Sequence, residues 1–214
     1  MKDITDLIKN YTKLQPVDFV PEIRLFTRDD PYFHELLMEE VNDEFVAWPE
    51  WVQVWSGGRA LARYILDNPT LFAGKTVVDY CSGSGVAGIA AAVVGAKVTC
   101  VDIDLYSHQA IKLNAKANKV NVEVSADLID ADIILVACPS FKTLTGTFPK
   151  KQLDLIKAYN QSYLGYKVLR NEYEGGFFKS EDFDIIDRKI VPASISTEGR
   201  STREVIIMSH LSHC

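Results

Sequence analysis

The sequence predicts an α/β fold: a Rossmann-like, seven-stranded, mostly parallel sheet with helices on both faces, a C-terminal antiparallel hairpin, and an N-terminal helical and extended arm. Three observations carry this expectation. First, Val77 to Gly88, VVDYCSGSGVAG, runs from a β-branched segment into an acid, a glycine turn and a small-residue helix. Second, Val98-Thr99-Cys100-Val101-Asp102 is another strand ending in an acid, and strands and helices alternate from there. Third, two strand-like stretches near the end, Phe183–Val191 and Glu204–Leu211, are separated by a polar loop instead of a helix.

In chain order, Met1 to Leu14 reads as an amphipathic helix with Ile4, Leu7, Ile8 and Tyr11 on one face, stopped by Gln15-Pro16. Phe19 to Phe26 reads as an extended arm. Asp30-Pro31 opens a second helix with Phe33, Leu36, Leu37 and Val41 on one side. His34-Glu35 lies within it, but the second histidine of a zinc helix is missing, so His34 is expected to be a surface or packing residue. All three tryptophans, Trp48, Trp51 and Trp55, fall within eight residues. Packing is expected of Trp48 and Trp51, whereas Trp55 is either packing or a pocket wall. Ser56 is placed to cap a helix whose apolar face is Ala60, Leu61, Tyr64 and Ile65, and Asn68-Pro69 stops that helix.

Strands are expected at Thr76–Asp79, Lys97–Asp102, Asn121–Ser125 and Asp132–Cys138, with a fifth near Tyr166–Leu169. Helices are expected at Val86–Val94, Ser107–Lys119 and from Pro149 to about Gln161. Asp127–Ala131 is too short for a crossover helix of ordinary length. With 214 residues the chain reads as one domain, residues 1–50 forming an arm on a core of residues 51–214.

A net charge of -6 argues against a broad nucleic-acid surface. Cys81, Cys100, Cys138 and Cys214 show no metal-site or disulfide spacing, so no metal and a reducing, cytoplasmic compartment are expected. There is no apolar run of membrane-spanning length, so no membrane association is expected.

Taken literally, Gly83-x-Gly85-x-x-Gly88 is a dinucleotide fingerprint, and Asp102 follows Gly83 by 19 residues, where a ribose acid belongs. Asp79 argues against a dinucleotide, because a carboxylate at the end of the first strand would face the turn and repel a pyrophosphate. S-adenosylmethionine (SAM) has no phosphate. Its ammonium suits Asp79, its carboxylate suits the backbone N–H groups of the turn, and its ribose diol suits Asp102. A nicotinamide-dependent oxidoreductase is the weaker alternative, and solvated loop acids beside a tight turn the plain structural one.

The segments WVQVWSGGRALARYILDNP, VVDYCSGSGVAGIAAAVVGA, VTCVDID and AIKLNAKAN resemble the class I (seven-β-strand) SAM-dependent methyltransferases. Within that class they resemble the branch containing the lysine methyltransferase of electron-transfer flavoprotein β subunit and nicotinamide N-methyltransferase-like proteins. The resemblance implies methyl transfer to a nitrogen, with a protein lysine or a small amine as acceptor. It implies a cofactor site of Trp55, Asp79, Cys81, Gly83, Gly85, Asp102, Ile103, Asp127 and Leu128, with Asp102 on the ribose and Ile103 beside the adenine. Asp104 is a helix N-terminal residue, and Asp127 has a turn role as its alternative.

The acceptor half departs from that pattern. Cys138-Pro139-Ser140-Phe141 stands where those lysine methyltransferases carry Asp-x-x-Tyr, and Arg170-Asn171-Glu172-Tyr173-Glu174 stands where they carry Gly-Asp-Pro-Gly-Arg. No catalytic residue is assigned, and a non-catalytic SAM-binding or protein-interaction module is the alternative to an enzyme.

Overall fold

The computed structural model describes residues 3–28, 30, 32–41, 48–137, 162–168, 183–196 and 199–210, the last three ranges as backbone only. Helix α1, Ile4–Tyr11, starts on Asp3, whose carboxylate accepts from Thr5 N–H at 2.9 Å, and buries Leu7 and Ile8. It ends before the expected Leu14. Thr12 turns extended, its hydroxyl donates back to the Ile8 carbonyl at 2.6 Å, and Lys13 is already in a strand.

That strand takes the place of the expected last turn of the helix, and the expected extended run over Phe19–Phe26 becomes its partner strand. Strands β1, Lys13–Val17, and β2, Val20–Thr27, form an antiparallel hairpin turning at Asp18-Phe19, with Phe19 left-handed at φ 65°. Pro16 is within a two-stranded sheet, where an edge strand tolerates its missing N–H. β2 buries Val20, Ile23 and Leu25 and exposes residues between them, a pattern set by packing the hairpin on one face. Helix α2, Phe33–Val41, buries Phe33 and Leu37.

A 3₁₀ turn over Glu50–Val52 leads to helix α3, Ser56–Asp67. Its N-cap is Trp55 with no side-chain cap, so Ser56 is the first helical residue and not the expected cap. Ala60, Leu61, Tyr64 and Ile65 are at most 2% exposed, as their spacing predicts. A Cβ on Gly58 would stand 2.7 Å from a methyl of Val86, so this glycine lets α3 approach the next helix closely.

The main sheet begins with β3, Thr76–Tyr80, followed by helix α4, Val86–Val93, and β4, Lys97–Val101. Helix α5, Leu105–Ala117, leads to β5, Glu123–Ser125, and β6, Ile133–Val136. The link between β5 and β6 holds no helix, as its length predicts. Asp132 anchors its end, accepting from Thr76 N–H and Oγ–H, both at 2.8 Å, which sets β6 beside β3.

The backbone continues with β7, Ser162–Val168, β8, Phe183–Ser196, and β9, Gly199–His210. The strand order is β5-β4-β3-β6-β7-β9-β8. Pairs within β5-β4-β3-β6-β7 are parallel, and β9 runs antiparallel to both β7 and β8. The β8 and β9 backbones run through most of the expected polar loop, because Pro192 to Ser196 pairs with Gly199 to Thr202. The expected helix over 149–161 lies outside the described residues.

Order and direction together position the site. β3 lies at the centre of the five parallel strands, with β4 on one side and β6 on the other, so the chain reverses its direction of winding at the end of β3. A crevice opens at such a point beyond the C-terminal ends of the strands. The register sets Asp79 beside Cys100, so Asp79 and Asp102 flank the same glycine turn.

Candidate active site

The turn between β3 and α4 is held in a conformation that few residues adopt. Gly83 has φ 50° and Gly85 φ 78°, and Cys81 is left-handed at φ 54° despite its side chain. Ser82 N–H reaches the Val101 carbonyl at 3.1 Å, and Gly85 N–H closes the turn on the Ser82 carbonyl at 2.7 Å. Gly85 is the N-cap of α4 and has no side chain to cap with. Asp79 supplies the missing acceptor, its Oδ2 taking the Gly88 N–H at 2.8 Å.

Asp79 is thus 2% exposed, and one of its oxygens is used inside the fold. Burial pushes its carboxyl up to about 7, against the opposing pull of the Gly88 bond. Helix and strand touch here: a Cβ on Gly88 would stand 2.6 Å from Cys100 Sγ and 3.1 Å from Asp79 Oδ2. Burial raises the Cys100 thiol well above its usual range, so this cysteine is a packing group.

Asp102 faces the turn from β4. Its Oδ2 accepts from Gly83 N–H at 2.8 Å and its Oδ1 from Asp104 N–H at 3.0 Å. Burial raises its pKa, and the two backbone bonds oppose that rise. A carboxylate has about four lone-pair directions, so two remain for a diol. Asp104 caps α5, its Oδ1 accepting from Tyr106 N–H at 2.9 Å, as its position predicts. Ile103 is 84% exposed, leaving an apolar surface beside Asp102.

The other expected residues are more spread out. Asp127 is exposed in a turn where its N–H donates to Ser125 Oγ at 3.0 Å, and Leu128 is half-buried. Trp51 is fully buried, edge-on to Phe33 with ring centroids 5.9 Å apart. Trp48 is 44% exposed and packs its ring at a tilt against that of His34 on α2, with centroids 5.2 Å apart. Trp55 is half-exposed and donates a side-chain hydrogen bond to Glu50. The stretches 138–141 and 170–174 lie outside the described residues. Among the described residues there is no group of side chains that could hold a metal ion.

Two features of the site escaped the sequence. Glu50 reaches it from the 3₁₀ turn: its carbonyl oxygen stands 3.6 Å from where a Cβ on Gly83 would be. Asn114, fully buried on α5, donates to the Ser84 carbonyl at 2.9 Å and accepts from Phe26 N–H at 2.7 Å, tying the glycine turn to β2. One turn on, Asn118 clamps the same strand, accepting from Arg24 N–H at 2.9 Å and donating to Arg24 O at 2.6 Å. AIKLNAKAN did carry a signal, two asparagines four apart on one helix face. Glu50 had none.

With the geometry in place, likeness to known proteins becomes informative. Residues 61–138 match the family model for ribosomal protein L11 methyltransferase (PrmA). An electron transfer flavoprotein beta subunit lysine methyltransferase from Mus musculus is 49% identical over 74 residues, covering 34% of this chain and 29% of that protein. Its Danio rerio counterpart is 38% identical over 124 residues, covering 55% and 46%. The chain therefore spans less than half the length of these curated relatives. A Pyrococcus horikoshii structure provisionally assigned as an RNA methyltransferase aligns with TM-score 0.56 at 20% identity, covering 85% of this chain and 99% of that one. A Pyrococcus abyssi tRNA uracil C5-methyltransferase, crystallised with S-adenosylhomocysteine, aligns with TM-score 0.51 at 14% identity, covering 69% and 38%.

Fold and glycine turn together resemble those of the class I SAM-dependent methyltransferases, and the family match lies over residues 61–138, which hold that turn. Within that class the chain resembles the branch of the electron-transfer-flavoprotein β-subunit lysine methyltransferases.

Proposed function

We propose that this protein is a SAM-dependent methyltransferase that methylates a nitrogen, with a protein lysine as the acceptor. The carrying observation is the turn at Cys81–Gly85, bonded through Gly83 N–H to Asp102 and flanked by exposed Ile103 and half-exposed Trp55. We read the seven-strand order with its antiparallel closing pair as the methyltransferase sheet, and residues 1–50 as an arm docked on a single catalytic domain. The relatives named for lysine methylation support the acceptor class.

The cofactor supplies an electrophilic methyl group on a sulfonium, and the protein's work is orientation and exclusion of water. Asp102 would hold the ribose diol with its remaining lone pairs, and Ile103 would lie against the adenine. Asp127 and Leu128 would close the adenine side. Gly83 and Gly85 leave the backbone bare beneath the methionine part, so its carboxylate can reach peptide N–H groups. Trp55 would form the wall facing the acceptor. A lysine must arrive neutral; from a reference pKa of about 10.4, deprotonation at pH 7 costs about 4–5 kcal/mol. An aromatic, partly dry wall lowers that cost by disfavouring the ammonium.

The compartment proposed is the cytosol, with no membrane partner; among the described residues no helix is long and apolar enough to cross a membrane. Cys138-Pro139-Ser140-Phe141, in place of Asp-x-x-Tyr, favours one second reading: a SAM-binding module without catalysis.

Equilibrium titration with S-adenosylhomocysteine tests the site: binding is expected, and Asp102→Ala should weaken it at least about tenfold, the loss of a charge-assisted bond. No binding, or no effect of the substitution, ends the proposal. Labelled methyl groups from SAM should appear on a lysate protein and be acid-stable at lysine. Binding without any transfer selects the second reading.

A further inference from the structure

Three acidic residues lie at the glycine turn, Asp79 and Asp102 by their carboxyl groups and Glu50 by its backbone, and the structure distinguishes them by what they already hold. Asp79 is 2% exposed and takes the Gly88 N–H. Asp102 gives one oxygen to Gly83 N–H and the other to Asp104 N–H. Glu50 is exposed, its carboxyl accepts from the Trp55 indole, and among the described residues it forms no ion pair. It is also held in place. Trp51 beside it is fully buried, and the Val52 carbonyl accepts from Arg28 N–H at 3.1 Å. Its own carbonyl lies 3.6 Å from the position a Cβ on Gly83 would take, so the 3₁₀ turn lies directly on the glycine turn.

We propose that Glu50, and not Asp79, receives the ammonium of the cofactor's amino-acid tail. The inference rests on the SAM reading of the site and adds a binding residue to it. An ammonium carries three donors and one positive charge, and needs an acceptor that is both accessible and negatively charged. Of the three acids only Glu50 is exposed. Protein packed round its carboxyl, and the nearby charge of Asp102, raise its pKa despite the Trp55 bond. A cation at this point relieves both effects at once. The Trp55–Glu50 bond would then couple tail recognition to the tryptophan wall.

The test compares two ligands. S-adenosylhomocysteine carries the amino-acid tail, and 5′-methylthioadenosine has the same nucleoside and thioether without it. Dissociation constants are measured by calorimetry for the wild type, Glu50→Gln, Glu50→Ala and Asp79→Asn. Glu50→Gln keeps an acceptor for Trp55 and removes the charge. It should weaken S-adenosylhomocysteine by about 10- to 100-fold, the range of a charge-assisted hydrogen bond, and leave methylthioadenosine within about twofold. Asp79→Asn should not change the ratio between the two ligands. Equal weakening of both ligands by Glu50→Gln, or no weakening of S-adenosylhomocysteine, overturns the proposal, as does a ratio collapsed by Asp79→Asn alone. If the wild type binds neither ligand, the SAM reading itself fails, an outcome distinct from the others.

Discussion

Replacing Asn114 by alanine should be among the most damaging single changes in the described part of the chain, although Asn114 is on helix α5 and outside the expected cofactor site. Its side chain lies fully buried between two backbone groups, the Phe26 N–H at 2.7 Å and the Ser84 carbonyl at 2.9 Å. Removing the amide leaves both without a partner, and each unsatisfied buried group costs about 1–3 kcal/mol. The expected loss is about 2–5 kcal/mol in urea unfolding, with an unchanged m-value. Asn118→Ala provides the scale. It also breaks two bonds to β2, but at a site where water can replace them, so about 1–2 kcal/mol is expected. Asn114→Asp is a sharper variant, because it keeps the acceptor for Phe26 N–H but turns a carboxylate oxygen on the Ser84 carbonyl. It should be no better than alanine at neutral pH. Hydrogen exchange should show the Phe26 amide losing protection in Asn114→Ala and keeping it in Asn118→Ala. An Asn114→Ala loss smaller than that of Asn118→Ala would refute the reasoning that the buried amide ties hairpin to turn.

Three further predictions concern the turn itself. Burial holds Asp79 at about 7, above its ordinary value of 3.8, so the folded state binds the extra proton between those limits and stability falls as pH rises through them. The slope is at most about 1.4 kcal/mol per pH unit, and Asp79→Asn should flatten it; urea midpoints that climb over this range in the wild type would contradict the assignment. Gly88→Ala drives a Cβ to within 2.6 Å of Cys100 Sγ and should cost at least about 2 kcal/mol, of which Cys100→Ala should return a measurable part in a double-mutant cycle. Purely additive losses would show that the sulfur is not the obstacle. Cys81→Gly relieves a left-handed residue worth about 1–2 kcal/mol and gives back about 0.4–1 kcal/mol of unfolded-chain entropy, so a small rise in melting temperature is expected. Cys81→Ala retains the Cβ and should show no such rise.

The central βαβ unit was legible because its signals are local. Gly83 and Gly85 adopt φ values that other residues avoid, and β-branched runs ending in acids mark strands wherever they fold. The cap at Asp104 and the helix-free link before β6 follow from the same short-range rules. The N-terminal hairpin was read only as a helix tail and an arm, since Lys13–Val17 carries Pro16 and no alternation until β2 lies beside it. Its stability comes from partners far along the chain: Arg63 of α3 on Glu22 at 2.8 Å, and the asparagines of α5 on Arg24 and Phe26. Ser56 looked like a cap, yet Trp55 holds the N-cap position.

The sequence by itself determined the fold class, the parallel core of the sheet and the position of the glycine turn, because backbone conformation and hydrophobic period are properties of neighbouring residues. Only the tertiary structure decided what each acid does. Asp79 and Asp102 looked equally available along the chain, but packing turned the first onto Gly88 N–H and left the second at the turn's edge. The same packing brought Glu50 beside Gly83, from a position more than thirty residues earlier. Burial and hydrogen-bond partners depend on distant chain segments meeting, and no local pattern encodes that meeting.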